Sequence, residues 1–422
     1  MTVPLGYQKT EVGIIPVDWS VVAQSSVATF YNGRAYKITE WEEHGTPVIR
    51  LQNLTGTGKD YYYSNLKLPD HQYVNKGDLL YMWSATFGVH IWNGSKAIYH
   101  YHIWKIELEK SKLDKQYMYY HLDNLTERMK GQSNGSTMLH ITKGGMEKQN
   151  MVLPPLFEQK KIARILTTID KKLENIEQKI AATQQLKKGL MQKLFSEGAG
   201  LPIQDADGNI TWQPHTEFEE SELGRIPNGW EVKKLDDVAD FFNGKAHEGS
   251  VDESGDYIIV NSKFVSTEGR VKKFTGEQLC SLEIGDLSLV MSDIPKGKAL
   301  GKCYRIKENN KYTLNQRIGG VRATKIDDVF LFYYLNRNPY YLKFDDGVSQ
   351  TNLRLSEVIN CPIPLPSRNE QKRIANILLK IDEKIKHILI EKEEIFSLKK
   401  GLMQKLLTGQ WRVKIDEQDQ AS

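Results

Sequence analysis

Two stretches of the chain carry apolar residues at a sustained spacing of 3.5. In the first, Ile162, Ile169, Ile176, Thr183 and Leu190 alternate with Leu166, Leu173, Ile180, Lys187 and Leu194; in the second, Ile374, Ile381, Ile388, Ile395 and Leu402 alternate with Leu378, Ile385, Lys392, Lys399 and Leu406. About five heptads of this kind predict two long helices, each with one apolar stripe. Ser367 and Glu370, just after Pro366, form an S-x-x-E capping box that marks the second start. Glu158 and Glu370 read as carboxylates that offset the unpaired amides and dipole of a helix N-terminus. A helix of about 38 residues is roughly 57 Å long, whereas a domain of about 150 residues is only about 30 to 40 Å across. Packed on its own domain such a helix overhangs, so the cheapest cover for each seam is the other helix. Lys187, Lys392 and Lys399 are expected to weaken that seam and mark its ends.

The two helices are copies. Lys187-Lys-Gly-Leu-Met-Gln-Lys-Leu194 recurs as Lys399-Lys-Gly-Leu-Met-Gln-Lys-Leu406, and Glu158-Gln-Lys-Lys-Ile-Ala163 matches Glu370-Gln-Lys-Arg-Ile-Ala375. Upstream, Glu11-Val-Gly-Ile-Ile-Pro-Val-Asp-Trp19 answers Glu222-Leu-Gly-Arg-Ile-Pro-Asn-Gly-Trp230, and Phe30-Tyr-Asn-Gly-Arg-Ala35 answers Phe241-Phe-Asn-Gly-Lys-Ala246. Between these anchors the halves diverge, with fainter echoes such as Gly77-Asp-Leu79 and Gly285-Asp-Leu287. The chain therefore reads as a tandem duplication of a variable domain followed by a long helix. A period this large is that of duplicated domains, not a solenoid. The segment 198–216, rich in Gly and Pro, reads as a linker long enough for the chain to reverse, which makes the helix pair antiparallel.

Composition narrows the class. With 422 residues, 40% hydrophobic and 26% charged, the chain can bury sizeable cores. Three dispersed cysteines exclude a disulfide framework and a paired-thiolate zinc site. The N-terminus lacks the order of a signal peptide and no run of about 18 apolar residues occurs, so a cytoplasmic protein is expected. Net charge is only +4, with a basic excess in both helices, which is a weak footprint of phosphate binding.

Catalytic constellations are missing. Gly297-Lys-Ala-Leu-Gly301-Lys302-Cys303 has one residue too few between its glycines for a P-loop, and Cys303 stands where Mg²⁺ needs a hydroxyl. Leu153-Pro-Pro-Leu156 lacks the Asn or Asp and the aromatic of an amino-methyltransferase tetrapeptide. The histidines and tyrosines of Ala97-Ile-Tyr-His-Tyr-His-Ile-Trp104 alternate as in a strand, with no carboxylate at metal-ligand spacing. No catalytic, cofactor-binding or metal-ligating residue is assigned.

Leu153-Pro-Pro-Leu-Phe-Glu-Gln-Lys-Lys-Ile-Ala163, Ile363-Pro-Leu-Pro-Ser-Arg-Asn-Glu-Gln-Lys-Arg-Ile-Ala375 and the duplicated Gly-Leu-Met-Gln-Lys-Leu endings together resemble the DNA specificity subunit of type I restriction-modification enzymes, over essentially the whole chain. The resemblance implies an α+β protein with two α/β target recognition domains related by tandem duplication and separated by two long antiparallel coiled-coil helices. Mapped here, the recognition domains are 1–155 and 217–366, the conserved spacer helices 156–197 and 367–408, the linker 198–216 and a C-terminal tail 409–422. It further implies a non-catalytic subunit that reads a bipartite double-stranded DNA site and directs adenine methylation and restriction by its partners. Those partners are modification subunits, two per chain, and restriction (motor nuclease) subunits reached through the complex. S-adenosylmethionine, ATP and Mg²⁺ are expected on them, and none on this chain. A coiled-coil scaffold or interaction protein without DNA reading is the alternative, and an enzyme with a fragmented motif is a third reading.

Base reading needs polar and cationic side chains on loops held by a rigid scaffold. Candidates in the first domain are Arg34, Ser84, Thr86, His90, His102, Ser133 and Asn134. In the second they are Lys245, Ser292, Lys296, Lys298, Lys302, Gln316, Arg317, Gln350 and Asn352. Arg34 and Lys245 weigh most, because a cation recurs after Asn-Gly while the surroundings diverge. For the partner interface the repeated helix ends nominate Gly189, Leu190, Leu194, Gly401, Leu402 and Leu406, since a mid-helix glycine costs about 1 kcal/mol and suggests close approach by another backbone. If the helices fix the distance between two reading heads, inserting one heptad into both adds about 10 Å, or about three base pairs of rise. The spacer preferred by the methylating complex should lengthen by a few base pairs with unchanged half-sites; an unchanged spacer refutes the ruler.

Overall fold

In the computed structural model, which describes residues 3–84, 86–132, 141–204, 210–247, 249–295 and 297–414, the heptad stretches form helices at Leu156–Ser196 and Arg368–Leu407. The chain divides into two compact units, 1–178 with 390–422, and 179–389. Each unit holds one copy of the variable domain, the start of the helix that follows it and the end of the other long helix.

The duplication seen in the sequence is a duplication of topology. In the first unit an antiparallel sheet runs in the order Ala28–Asn32, Ile103–Leu108, Leu79–Met82, Gly88–Ile91. In the second the order is Ala239–Asn243, Ile318–Ala323, Leu287–Val290, Cys303–Arg305. Beside each lies a smaller sheet built on a parallel pair, Thr46–Ile49 with Ala97–Tyr99 and Tyr257–Val260 with Tyr312–Leu314. A third pairing joins the start of each domain to its end, Ser20–Ala23 with Asn150–Leu153 and Glu231–Lys234 with Pro362–Leu365. The third strand of each antiparallel sheet, Leu79–Met82 and Leu287–Val290, is buried along its whole length, as a strand covered on both faces must be. Phe30, Tyr81, Trp104, Tyr117 and Leu166 share the first core with Leu406 and Leu407 of the second helix, and Leu287, Val321, Phe330, Ile374 and Leu378 share another with Leu194.

The seam lysines, expected to weaken the pairing, are each engaged by a carboxylate of the opposite helix. Lys399 Nζ lies 2.8 Å from Asp170 and Lys187 Nζ 2.6 Å from Asp382, and Lys392 pairs with Glu177 at 2.8 Å. Partner numbers fall on one helix as they rise on the other, so the strands of the coil are antiparallel. Each seam aspartate also accepts a tyrosine hydroxyl from the domain, Tyr120 to Asp170 and Tyr333 to Asp382, both at 2.7 Å. A lysine head among two oxygens and a ring is compensated, and only its stem crosses the apolar stripe.

Glu158 and Glu370 are not ordinary caps. Both are fully buried, and each accepts an indole N–H from the repeated Ile-Pro-x-x-Trp motif, Trp19 to Glu158 at 3.3 Å and Trp230 to Glu370 at 3.1 Å. The remaining oxygen capacity is filled by the segment that follows the other long helix. Arg412 donates Nε (3.0 Å) and Nη2 to Glu158, and its two Nη atoms reach Asp18 at 2.9 Å. On Glu370 the donors are the amides of Ala199 (2.8 Å) and Gly200 (3.1 Å) and His215 Nε2 (2.8 Å). Of the expected capping box only the hydroxyl half forms, the Glu370 amide donating to Ser367 Oγ at 3.4 Å. The following glutamines are equally occupied. Gln159 Oε1 accepts from Asp114 N and Gln371 Oε1 from Asp327 N, both at 2.8 Å, while their amides donate to Pro154 and Pro366 carbonyls. The Pro, Glu-Gln signature is thus a joint between domain and helix.

That joint also revises the linker. Leu201–Gln204 and Ile210–Gln213 pair as a hairpin, and Trp212 lies under the Arg373 guanidinium at 4.4 Å. Removing one partner of a buried, hydrogen-bonded charge typically costs 3 to 5 kcal/mol. Arg412→Ala, which strands Glu158 while leaving Glu370 intact, should lose about that much stability in urea unfolding; the faster amide exchange should appear in the first unit and not in the second.

Candidate nucleic-acid interface

In both domains the parallel strand leads into the antiparallel sheet through a four-residue turn. Ala97–Tyr99 enters the turn His100–Ile103, closed by Ile103 N donating to His100 O at 3.0 Å; Tyr312–Leu314 enters Asn315–Ile318, closed by Ile318 N to Asn315 O at 2.9 Å. The Tyr-His alternation at 97–104 is therefore strand, turn and strand, not one strand as expected. A turn interrupts the alternation because Ile103 must cross into a different sheet.

The Asn-Gly-cation segment lies alongside each turn. Arg34 N donates to Tyr99 O at 3.2 Å and Lys245 N to Leu314 O at 2.9 Å, with Arg34 bridging His100 and Lys245 bridging Asn315. A Cβ on Gly33 would stand 2.2 Å from His100 O, and one on Gly244 would stand 2.1 Å from Asn315 O. Only glycine admits this approach, so the feature that the repeat preserves is the glycine as much as the cation. In the second domain His247 is buried with Nδ1 2.7 Å from Lys245 O and Nε2 3.0 Å from Thr313 Oγ1, clamping the segment to the strand before the turn.

The sequence candidates separate into groups. Lys245, Lys298, Gln316, Arg317, Gln350 and Asn352 are exposed. Val290 pairs with Ile318, so Ser292 emerges beside the second turn; it pairs with Asn352 and its hydroxyl accepts from Gln350 Nε2 at 2.9 Å. Ser84 and exposed Thr86 occupy the corresponding place after Met82, which pairs with Ile103. Arg34 is engaged internally by Glu40 at 2.6 and 3.1 Å and stacks 5.3 Å over Tyr36, and Lys302 is held by Ser266 O at 2.9 Å and Glu268 at 3.4 Å. His90 is half-buried in strand Gly88–Ile91, and that burial lowers its pKa. His102 packs edge-on against Trp83 with centroids 5.5 Å apart. Ser133, Asn134 and Lys296 lie outside the described residues. Tyr101, read from the sequence as a strand residue, stands 39% exposed at the tip of the first turn. Its signal was its place at the centre of the Tyr-His run. Burial, followed by His102 and Arg50, holds the neighbouring His100 down at about 4.

The P-loop-like segment is filled by its own chain. Asp293 Oδ2 accepts from Ala299 N (2.6 Å) and Leu300 N (3.1 Å), placing a carboxylate where a phosphate would need to sit. Among the described residues no group of three or more His, Cys, Asp or Glu is arranged for a metal ion, and no helix is long and apolar enough to cross a membrane.

On the helix ends, Leu194 and Leu406 are buried in the chain's own cores and Leu190 and Leu402 pack partly against them. Gly189 and Gly401 are exposed, and a Cβ on either meets nothing within 4 Å. One turn earlier Leu186 and Leu398 are 53% and 50% exposed. The identical block in fact begins with these leucines, a match the sequence offered one residue before the block was taken to start.

The profile of the Type I restriction modification DNA specificity domain matches residues 16–185 and 227–395. The chain is similar to the type I restriction enzyme MjaVIII specificity subunit of Methanocaldococcus jannaschii, 31% identical over 95% of this chain and 94% of that one. Its fold is similar to the type I restriction-modification S subunit from M. genitalium, at 16% identity, TM-score 0.51 and 94% and 97% coverage. It is also similar to a chain from work on complex assembly and conformational transition of the type I R-M system, at 14% identity, TM-score 0.57 and 94% and 99% coverage.

The two kinds of glycine should respond oppositely to alanine. Gly244→Ala forces a Cβ against a carbonyl and should cost about 1 to 3 kcal/mol, whereas Gly189→Ala and Gly401→Ala should each add up to about 1 kcal/mol in the free chain. Thermal unfolding of the three variants decides between them.

Proposed function

The chain belongs to the family of type I restriction-modification DNA specificity subunits, and from that membership we propose that its two turn-centred surfaces each read one half of a split double-stranded DNA site. It is a recognition subunit of a restriction-modification complex. The observation that carries the assignment of surface is the duplicated turn: the frame around His100–Ile103 and Asn315–Ile318 is the same while the residues on it differ. Loops that vary on a constant scaffold are where binding specificity resides. Two unlike loop sets imply two unlike half-sites.

The chain itself performs no methyl transfer, cleavage or ATP hydrolysis in this reading. S-adenosylmethionine, ATP and Mg²⁺ belong to the partner subunits. The exposed Leu186, Gly189 and their copies Leu398, Gly401 offer two equivalent patches, which supports two modification subunits per chain. A helix face lowered by a glycine beside an exposed leucine is a surface that a partner helix can approach closely. Leu190, Leu194, Leu402 and Leu406 serve the fold behind those patches.

The reading is tested by exchange. Replacing residues 20–150 by the equivalent segment of a relative should alter one half of the methylated site and leave the other; a change in both halves defeats it. Binding by the assembled complex should fall linearly with salt on a log–log scale, as counterion release requires, and a scaffold without DNA reading shows no such affinity. Gly189→Leu with Gly401→Leu should impair assembly with the modification subunit more than it impairs folding, measured by co-purification and thermal unfolding. Methylation of DNA by the purified single chain would overturn the assignment of chemistry to the partners.

A further inference from the structure

Resting on that assignment, the two turns differ in what they can offer a base edge. In the first, the backbone carbonyls are already used: His100 O accepts from Ile103 N and His102 O from Trp83 N at 3.2 Å, while His100 N donates to Ile49 O at 2.9 Å. The Tyr101 carbonyl takes the Trp83 indole N–H at 2.8 Å. The ring of Tyr101 is what stands out at the tip, packed between His100 (4.5 Å) and His102 (3.8 Å). The low pKa of His100 leaves that imidazole uncharged at neutral pH. In the second, the equivalent tip carries Gln316 and Arg317, both exposed, beside the Ser292, Gln350 and Asn352 cluster.

We infer that the two half-sites are read by different chemistry: the first through apolar contact of the Tyr101 ring with a thymine methyl, the second through paired hydrogen bonds from the Arg317 guanidinium to a guanine. A ring whose neighbouring carbonyls are taken by the chain's own donors gains most from an apolar partner, and the C5-methyl of thymine is the apolar group of the major groove. A guanidinium presents parallel N–H donors that match the O6 and N7 acceptors of guanine. The bonds that close each turn are made by backbone atoms, so Arg317→Ala removes none of them, and Tyr101→Phe also keeps the ring contacts with Trp83, His100 and His102.

The test uses the full chain assembled with its modification subunit, on duplexes carrying the site identified from methylated adenines in genomic DNA. Each first-half thymine is replaced singly by uracil, which removes only the methyl, and each second-half guanine by 7-deazaguanine, which removes only N7. One uracil should weaken binding by about 3- to 10-fold, and one 7-deazaguanine by about 10-fold or more. In Tyr101→Ala the uracil penalty should vanish while the 7-deazaguanine penalty persists; in Arg317→Ala the reverse should hold, and Tyr101→Phe should keep the uracil penalty. Penalties that survive the matching substitution, or analogues that cost nothing at every position, overturn the inference while leaving site-specific methylation intact. An assembly that methylates no defined site fails at the earlier step, the proposed function itself.

Discussion

Everything in each unit is organised by one buried carboxylate. Glu158 and Glu370 sit at the first turn of a long helix, out of water, where an ionised carboxylate is tolerable only if its lone pairs are filled by well-placed donors. The donors come from two separate parts of the chain: the tryptophan that opens the domain and the segment that leaves the other long helix. Satisfying the charge therefore fixes the start of the domain, the direction of the helix and the end of its antiparallel partner at once. In the first unit this bond joins residues 254 apart in sequence. Because closure entropy grows only logarithmically with separation, such a distant clasp is not prohibitively costly once the helix pair has brought its ends together.

The same economy governs the seam. An antiparallel pair of copies makes each seam contact twice, Asp170 with Lys399 and Asp382 with Lys187, and a strictly apolar stripe would permit several registers. Lys187 with Asp382 and Lys399 with Asp170 match only when the heptads are correctly aligned, and the tyrosine hydroxyls on the two aspartates tie that register to the domains. Polar groups inside the stripe specify the pairing while the leucines and isoleucines around them stabilise it.

The proposed reading surfaces sit away from these constraints. The turns at 100–103 and 315–318 are held by Gly33 and Gly244 beneath them and by strands on either side. The bonds that close them are made by backbone atoms, so the turn itself does not dictate the side chains it carries. The frame can therefore stay constant while the residues proposed to meet DNA change, and the mid-helix glycines, where a Cβ would meet nothing within 4 Å, are the complementary case of a surface proposed for a partner.

What the sequence alone determined was whatever recurs or has a period. The 3.5-residue spacing announced both long helices to within a few residues, the offset copies announced two like domains, and identical segments at the helix ends announced a shared role. Those features are local, since periodicity and identity are written along the chain. Tertiary structure decided which residues meet. Arg412 and His215 do the same work on Glu158 and Glu370, yet one follows its helix closely and the other stands beyond a hairpin, so no alignment of the halves pairs them. Arg34 and Lys302 looked like cations for DNA and are engaged by Glu40 and Glu268, whereas Tyr101, which looked like a strand residue, stands at a turn. A side chain's availability depends on groups distant in sequence that fold next to it, and only the packed chain brings those groups within a hydrogen bond's length.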